Sequence, residues 1–443
     1  EAAKLVTPLV IGQTARSDLL DLNVDGAGPI RSVLYPLELP ESGIAVFHDT
    51  LPSLTGELHK RERDSIRLFG NYLLELDRGD PHENWRTFYR LPLRQIEQLR
   101  QTHLDKTHRF WLTALPKADL HRHLGGCLDL DAQRAVAQAI WDALTPTQRD
   151  QALDGIQPLL EERDWSWDWP TQLKSRGVRS HQCAALLLHA GDERLLWNLW
   201  QTTEPRIALK ARHPGGFSAY ERPGELSGSA LLGHPAAIAP YAEAILRQAV
   251  NEGLAYVELR GSPQKYQEDG VEFLHLFYRA LADAQNREKT NILFRFIIAA
   301  DRRACDGELQ KTITMAVQAR QKLPDFVAGL DLAGDEIGRA PEDIAHLFTP
   351  AFEACMPITI HAGEGESAES IWQAAYHLHA DRIGHGLTLG GRPELAQRFR
   401  DRGICLELCP TSNREVVGFW DPQYPESAQY GTYPLMTLWQ QGL

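Results

Sequence analysis

The chain has 443 residues, 43% hydrophobic and 24% charged, ordinary values that set aside disorder, collagen-like repetition and coiled coil for its bulk. Its 46 Lys+Arg against 59 Asp+Glu give a net charge of −13. That field argues against a polymeric nucleic-acid partner but leaves open a small anionic ligand in a local pocket. At about 150 residues per domain the length admits two or three domains, or one large α/β barrel with an appendage.

The six cysteines stand at 127, 183, 305, 355, 405 and 409 and form no C-x-x-C pair. They are expected to be reduced, mostly buried thiols of a cytoplasmic protein. No stretch reaches the roughly 18 apolar residues of a membrane helix, and no signal-peptide pattern opens the chain. The first residue is Glu1 rather than Met, which reads as a trimmed chain.

Residues 1–110 carry no chemical motif. Short apolar pieces such as Ala45-Val46-Phe47 predict small strands and loops. Helical spacing recurs over Glu57–Leu76, through Ile66, Phe69 and Leu73, and again from Leu93 through Ile96, Leu99 and Leu104. The region is expected to be an accessory module for assembly. From Leu115 onward, short apolar runs alternate with helical stretches. The predicted strands are Ala118–Leu120, Ala255–Leu259, Leu293–Ala299, Val327–Leu332, Ile358–Ile360, Arg382–Ile383 and Ile404–Leu408, and the predicted helices include Ala236–Asn251, Glu272–Arg287 and Ser367–Leu378. This alternation predicts a parallel sheet with covering helices, and polar residues at the strand ends favour a (β/α)8 barrel over a doubly wound sheet. Those residues are His121, Arg260, Asp331, His361, His385 and Glu407. A large insertion, about 131–234, separates the first strand from the second. It holds Asp131–Leu144, Leu186–Trp200 and the alternating Trp165, Trp167 and Trp169. The tryptophans are expected to pack the insertion rather than to form an interaction patch.

Chemistry concentrates at the strand ends. In Asp119-Leu120-His121-Arg122-His123, residues two apart share a face of a strand, so His121 and His123 aim two imidazoles at one point, as a divalent metal needs. In Ile360-His361-Ala362-Gly363-Glu364, His361 offers a third nitrogen and Glu364 a nearby carboxylate able to shuttle a proton. A zinc ion with such ligands lowers the pKa of water towards about 7. His385, flanked by Gly384 and Gly386, is placed to orient the attacking hydroxide or to bind substrate. In Gly329–Glu336 a strand ends in a small-residue turn whose amides can meet a flat ligand, with Asp335 and Glu336 expected to cap the next helix.

The ordered series HRHLGG, YVELRGSP, GLDLAGDE, HAGEG, RIGHG and LELCPTSN, spanning residues 115–443, resembles the adenosine deaminase family of metal-dependent hydrolases. The resemblance implies a (β/α)8 barrel that binds Zn2+ and replaces the 6-amino group of adenine with oxygen. It implies His121, His123 and His361 as zinc ligands and Glu364 as the proton donor to the purine ring. It implies His385 as the group that orients the attacking hydroxide, and the backbone N–H of Gly334 as a contact to a purine nitrogen. The H-x-E … P-C-x-x-C signature of the other zinc nucleobase deaminases is absent.

Two departures matter. Where the family carries an Asp that contacts the ribose 5′-hydroxyl, this chain has Gly125, which removes a repulsion against phosphate and points to a 5′-phosphorylated adenine nucleotide. The family's last strand, with an Asp pair that adds a metal ligand, is expected beyond Leu443. The N-terminal region and the insertion also resemble the large, oligomeric deaminase component of RADAR-type antiphage systems, which implies a homo-oligomer in antiviral defence with a second defence protein as partner. Against these stand a catalytically inactive structural subunit, and another metal hydrolase on the same barrel.

Overall fold

The computed structural model describes residues 105–174, 177–200, 215–419 and 431–443; the elements expected over 45–104 lie outside them. Thr113–Leu443 forms one compact unit. It begins with β1 (Lys117–His123), followed by the helices α1 (Leu130–Ala143), α2 (Pro146–Glu161), α3 (Val178–His189) and α4 (Phe217–Glu221). The barrel resumes at α5 (Ile238–Glu252), β2 (Leu254–Gly261), α6 (Gly270–Glu288), β3 (Leu293–Asp301), α7 (Asp306–Lys322) and β4 (Val327–Ala333). After these come β5 (Ile358–Ala362), α8 (Ala368–His377), β6 (Arg382–His385), α9 (Pro393–Arg402), β7 (Cys405–Glu407), α10 (Pro410–Val416) and α11 (Leu435–Gln440).

All seven strands predicted from the sequence are present and parallel, paired in the sequential order β1 to β7. The sheet curls on itself. Glu407 of β7 bonds to His121 of β1 and Arg260 of β2, and Arg382 of β6 reaches Glu258 of β2. The fold is a (β/α)8-type barrel, of which the described residues supply seven strands, with β1 and β7 at the sheet's two edges.

Local chemistry sets the boundaries. Asp269 starts α6 by accepting the amides of Val271 and Glu272 at 2.9 and 3.0 Å. Gly253, in the left-handed region at φ 69°, ends α5, and its carbonyl accepts the amide of Lys117 at 3.1 Å, which ties the end of α5 to the start of β1. The strands bury both faces, as parallel barrel strands do. Leu330 and Leu332 turn outward to the helices, and Asp331 between them turns into the barrel. Gly329 lets β4 and β5 approach, since a Cβ there would sit 2.6 Å from the Pro357 carbonyl oxygen.

The insertion is helical and well packed. Trp169 is buried, Trp165 lies beside it with its ring tilted by 55° and ring centres 5.1 Å apart, and the Trp165 indole donates to the Leu159 carbonyl. Trp167 is the exposed one, with the Arg222 guanidinium 4.1 Å above its ring. Within Leu186–Trp200, α3 ends at His189 and a new turn starts at Asp192. The expectation of mostly buried thiols fails. All six cysteines are free, but only Cys183 is buried, and Cys305, Cys355 and Cys405 are exposed. They occupy a helix N-cap, a turn at φ 48° and the first residue of β7, positions that face away from the core.

Candidate functional site

A cavity of about 1560 Å³ opens at the carboxyl ends of the strands, where a barrel of this kind builds its site. His121, His123, Gly334, His361, Glu364 and His385 all line it. Six residues drawn from 265 positions of sequence therefore share one wall because strand ends of a curled sheet converge.

Three imidazoles form its floor. The Nε2 atoms of His121, His123 and His361 stand 3.1–3.2 Å from one another. Carboxylates hold the other side of two of these rings: His121 Nδ1 lies 2.9 Å from Glu407 Oε2, and His361 Nδ1 lies 3.0 Å from Asp331. A carboxylate facing Nδ1 keeps the proton there, so Nε2 of both rings presents a lone pair. Two lone pairs 3.1 Å apart repel unless a cation lies between them. Ligands at 2.0–2.1 Å around a tetrahedral zinc would be about 3.3 Å apart, so the donor set fits such an ion. Two of the rings, His121 and His123, are also kept from protonating. Burial, Arg260 and the neighbouring rings push His121 well below its usual value. His123 is exposed where it opens onto the cavity, and desolvation by the surrounding walls, with His361, holds it down to about 3.

Behind the rings lies a buried ionic lattice of strand-end residues whose roles the sequence did not reveal. Arg260, fully buried, donates to Asp331 at 3.0 Å, to Glu407 and to the Leu120 carbonyl at 2.9 Å. Glu407 also accepts from Arg382 at 2.6 Å and Thr359 at 3.1 Å. Burial raises the Asp331 carboxyl, but His361 and Arg260 outweigh it and hold it below the ordinary carboxylate range. These polar strand-end residues were visible in sequence; what they touch was not.

Glu364 and His385 stand side by side, Oε1 to Nδ1 at 3.6 Å. His385 holds φ at 69° between Gly384 and Gly386, a left-handed conformation that costs on the order of 1–3 kcal/mol for such a residue. A Cβ at 384 would lie 3.0 Å from the His121 ring, so that glycine lets the imidazoles gather. Burial and His361 keep His385 down at about 3. Atoms of His121, His361 and His385 also lie within 4.8 Å of each other. The tighter triangle, however, is the one completed by His123. Gly334, at φ 96°, bares its backbone to the cavity, and a Cβ there would meet Asp301 Oδ1 at 2.8 Å. Tyr220 of α4 reaches across to Ser412 at 2.9 Å.

Glu336 does not cap the following helix, which begins only at Pro341. It crosses to the turn after β5 instead. There it accepts the amides of Gly363, Glu364 at 3.0 Å, Gly365 at 3.1 Å and Glu366 at 3.3 Å, and the Ser370 hydroxyl at 2.7 Å. The backbone that carries Glu364 is thus wrapped around a neighbouring strand's carboxylate.

Among the described residues no helix is long and apolar enough to cross a membrane. The chain is similar to known deaminases over part of its length. The chain is 36% identical over 192 residues to the adenosine deaminase of Pectobacterium atrosepticum, 42% of this chain and 55% of that one. It is 34% identical over 174 residues to the adenine deaminase of a Chelativorans species, 39% and 52%. The chain spans about half the length of the curated relatives it matches. An amidohydrolase of Burkholderia ambifaria, solved with bound zinc, superposes with a TM-score of 0.49 at 20% identity over 77% of each chain. Residues 201–423, half of the sequence, match the family described as adenosine deaminase. That span holds Gly334, His361, Glu364 and His385, and the fold brings His121 and His123 to them from outside it; the chain belongs to the adenosine deaminase family.

Proposed function

We propose that this chain is the catalytic barrel of a zinc-dependent hydrolase that replaces the 6-amino group of adenine with oxygen, in a nucleoside or 5′-nucleotide. The observation that carries the proposal is the triangle of Nε2 lone pairs on His121, His123 and His361 beside the Glu364–His385 pair. Those three histidines would hold the zinc, which when bound would supply a water of lowered pKa as the nucleophile at neutral pH. Glu364 protonates the purine ring nitrogen next to C6, which makes that carbon electrophilic. His385 orients the attacking oxygen and stabilises its charge. The amide of Gly334 holds a nitrogen on the base's far side. The C–O bond forms, the C–N bond breaks, and the amino group leaves as ammonia once it has gained a proton. Ammonia release from adenine substrates by zinc-loaded protein tests the reading, and no release after zinc loading overturns it.

The substrate is assigned as a 5′-phosphorylated adenine nucleotide. Gly125 supports this, because it places no carboxylate at that position to repel phosphate; Arg222 lines the same cavity, as do Lys265 and Arg303, which are paired with Asp301 and Glu221. A side chain at 125 has room, meeting only the Gly228 Cα at 3.8 Å. The kcat/KM for AMP or ATP is expected to exceed that for adenosine, and Gly125→Asp should move the preference towards adenosine by on the order of 10-fold. A clear wild-type preference for adenosine rules the phosphate out.

Residues 1–110 are assigned as the assembly module of a homo-oligomer acting in antiviral defence in the cytoplasm. The supports are the long segment before the barrel and the insertion between β1 and β2. Light scattering with and without 1–110 should show the oligomer only in the first case; a monomer in both removes the assignment.

A further inference from the structure

Asn413, on α10, is fully buried between the two acid–base side chains. Its Nδ2 lies 2.8 Å from Glu364 Oε1 and 3.0 Å from His385 Nδ1. Its Oδ1 accepts the Cys409 amide at 3.3 Å and the Tyr433 hydroxyl at 2.9 Å. Two donors and two acceptor positions are the full capacity of a primary amide. Its orientation is dictated from behind, because a main-chain N–H can only donate and the Cys409 amide must therefore face the oxygen. The nitrogen is left facing Glu364 and His385. Glu364 accepts one of its protons, and the other points at His385 Nδ1, which must then be the unprotonated nitrogen of a neutral ring.

We infer that Asn413 is a positioning residue that fixes His385 as the Nε2–H tautomer and clamps Glu364 beside it. The same centre thereby holds its histidines in two opposite states. On His121 and His361 a carboxylate keeps the proton on Nδ1, and Nε2 is a lone pair suited to a cation. On His385 an amide donor occupies Nδ1, so Nε2 carries a proton and serves as a hydrogen-bond donor. This separates the cation-binding rings from the ring that steadies an attacking oxygen, although the three ring centres lie 4.7–5.1 Å from one another. The catalytic consequence rests on the deaminase reading; the tautomer does not.

The test uses full-length, zinc-loaded protein labelled with 15N at histidine. The His385 signals are assigned by their loss in His385→Gln. Wild type should show His385 Nδ1 unprotonated and Nε2 protonated. In Asn413→Asp, which keeps the shape but offers no donor, the proton should move to Nδ1. With it kcat should fall on the order of 10²-fold while KM stays within about threefold. A protonated Nδ1 in wild type overturns the inference whether or not the protein deaminates adenine. A reversed tautomer with kcat within about threefold of wild type removes the positioning role. If Asn413→Asp does not fold, the wild-type spectrum alone decides the tautomer. Full activity of His385→Gln would count against the proposed role of His385 and leave the tautomer standing.

Discussion

Glu364→Gln should lower kcat for adenine deamination on the order of 10²–10⁴-fold, the usual weight of a positioned proton donor. The glutamine is nearly isosteric, and its oxygen can still accept from Asn413 Nδ2, as Glu364 Oε1 does at 2.8 Å. The main-chain amide at 364 keeps its bond to Glu336 at 3.0 Å, so the turn after β5 has no reason to move. What disappears is an ionisable group able to carry a proton to the ring nitrogen and return for another. Because none of the three clustered imidazoles is altered, zinc content should match wild type, and KM should change little since the base is still held elsewhere. Ammonia release and metal analysis on the same preparation check both halves. A variant within about threefold of wild-type kcat would exclude Glu364 as the proton donor. A variant that lost its zinc would instead make the 363–366 turn part of the metal centre.

The barrel was legible because its strands obey a simple rule. A parallel strand buried on both faces reads as a short, continuous apolar run, and Leu293–Asp301 or Val327–Ala333 announce themselves that way. The ends of these runs were legible too, since an apolar run that stops at His, Asp or Glu beside a glycine is a place where polar side chains meet a cavity. What could not be read was the pairing among those ends. His121 meets Glu407 across 286 positions of sequence, and Arg382 meets Glu258 across 124. Such contacts depend on the curl of the sheet, which no local pattern encodes. Asn413 is the sharper case. It belongs to a motif that was noticed, but an asparagine on a short helix has no local property that marks it as a bridge between Glu364 and His385. Glu336 misled for the opposite reason, because an acidic pair after a strand is a familiar helix cap and only the distance to Pro341 shows otherwise.

Arg260→Met should be the most damaging single change to the site's foundation. The guanidinium is wholly buried and joins Asp331, Glu407 and the Leu120 carbonyl, tying β2 to β4, β7 and β1. Methionine fills similar space but leaves two buried carboxylates without their shared counter-charge. Removing one partner of a buried ion pair costs about 3–5 kcal/mol, a large part of the 5–15 kcal/mol that holds a typical domain together. The carboxylates have other partners, His361 for Asp331 and Arg382 and Thr359 for Glu407, so the fold should survive at a reduced denaturation midpoint. The proposed metal centre should suffer more. Asp331 and Glu407 orient the rings of His361 and His121, and disturbing partners of that kind typically weakens metal affinity by about 10–100-fold. Arg260→Lys should not restore it, because one ammonium cannot reproduce a planar fork that reaches two carboxylates and a carbonyl. Chelator titration and chemical denaturation of the two variants separate the effects. Wild-type zinc retention in Arg260→Met would show that the histidines hold their orientation without the lattice behind them.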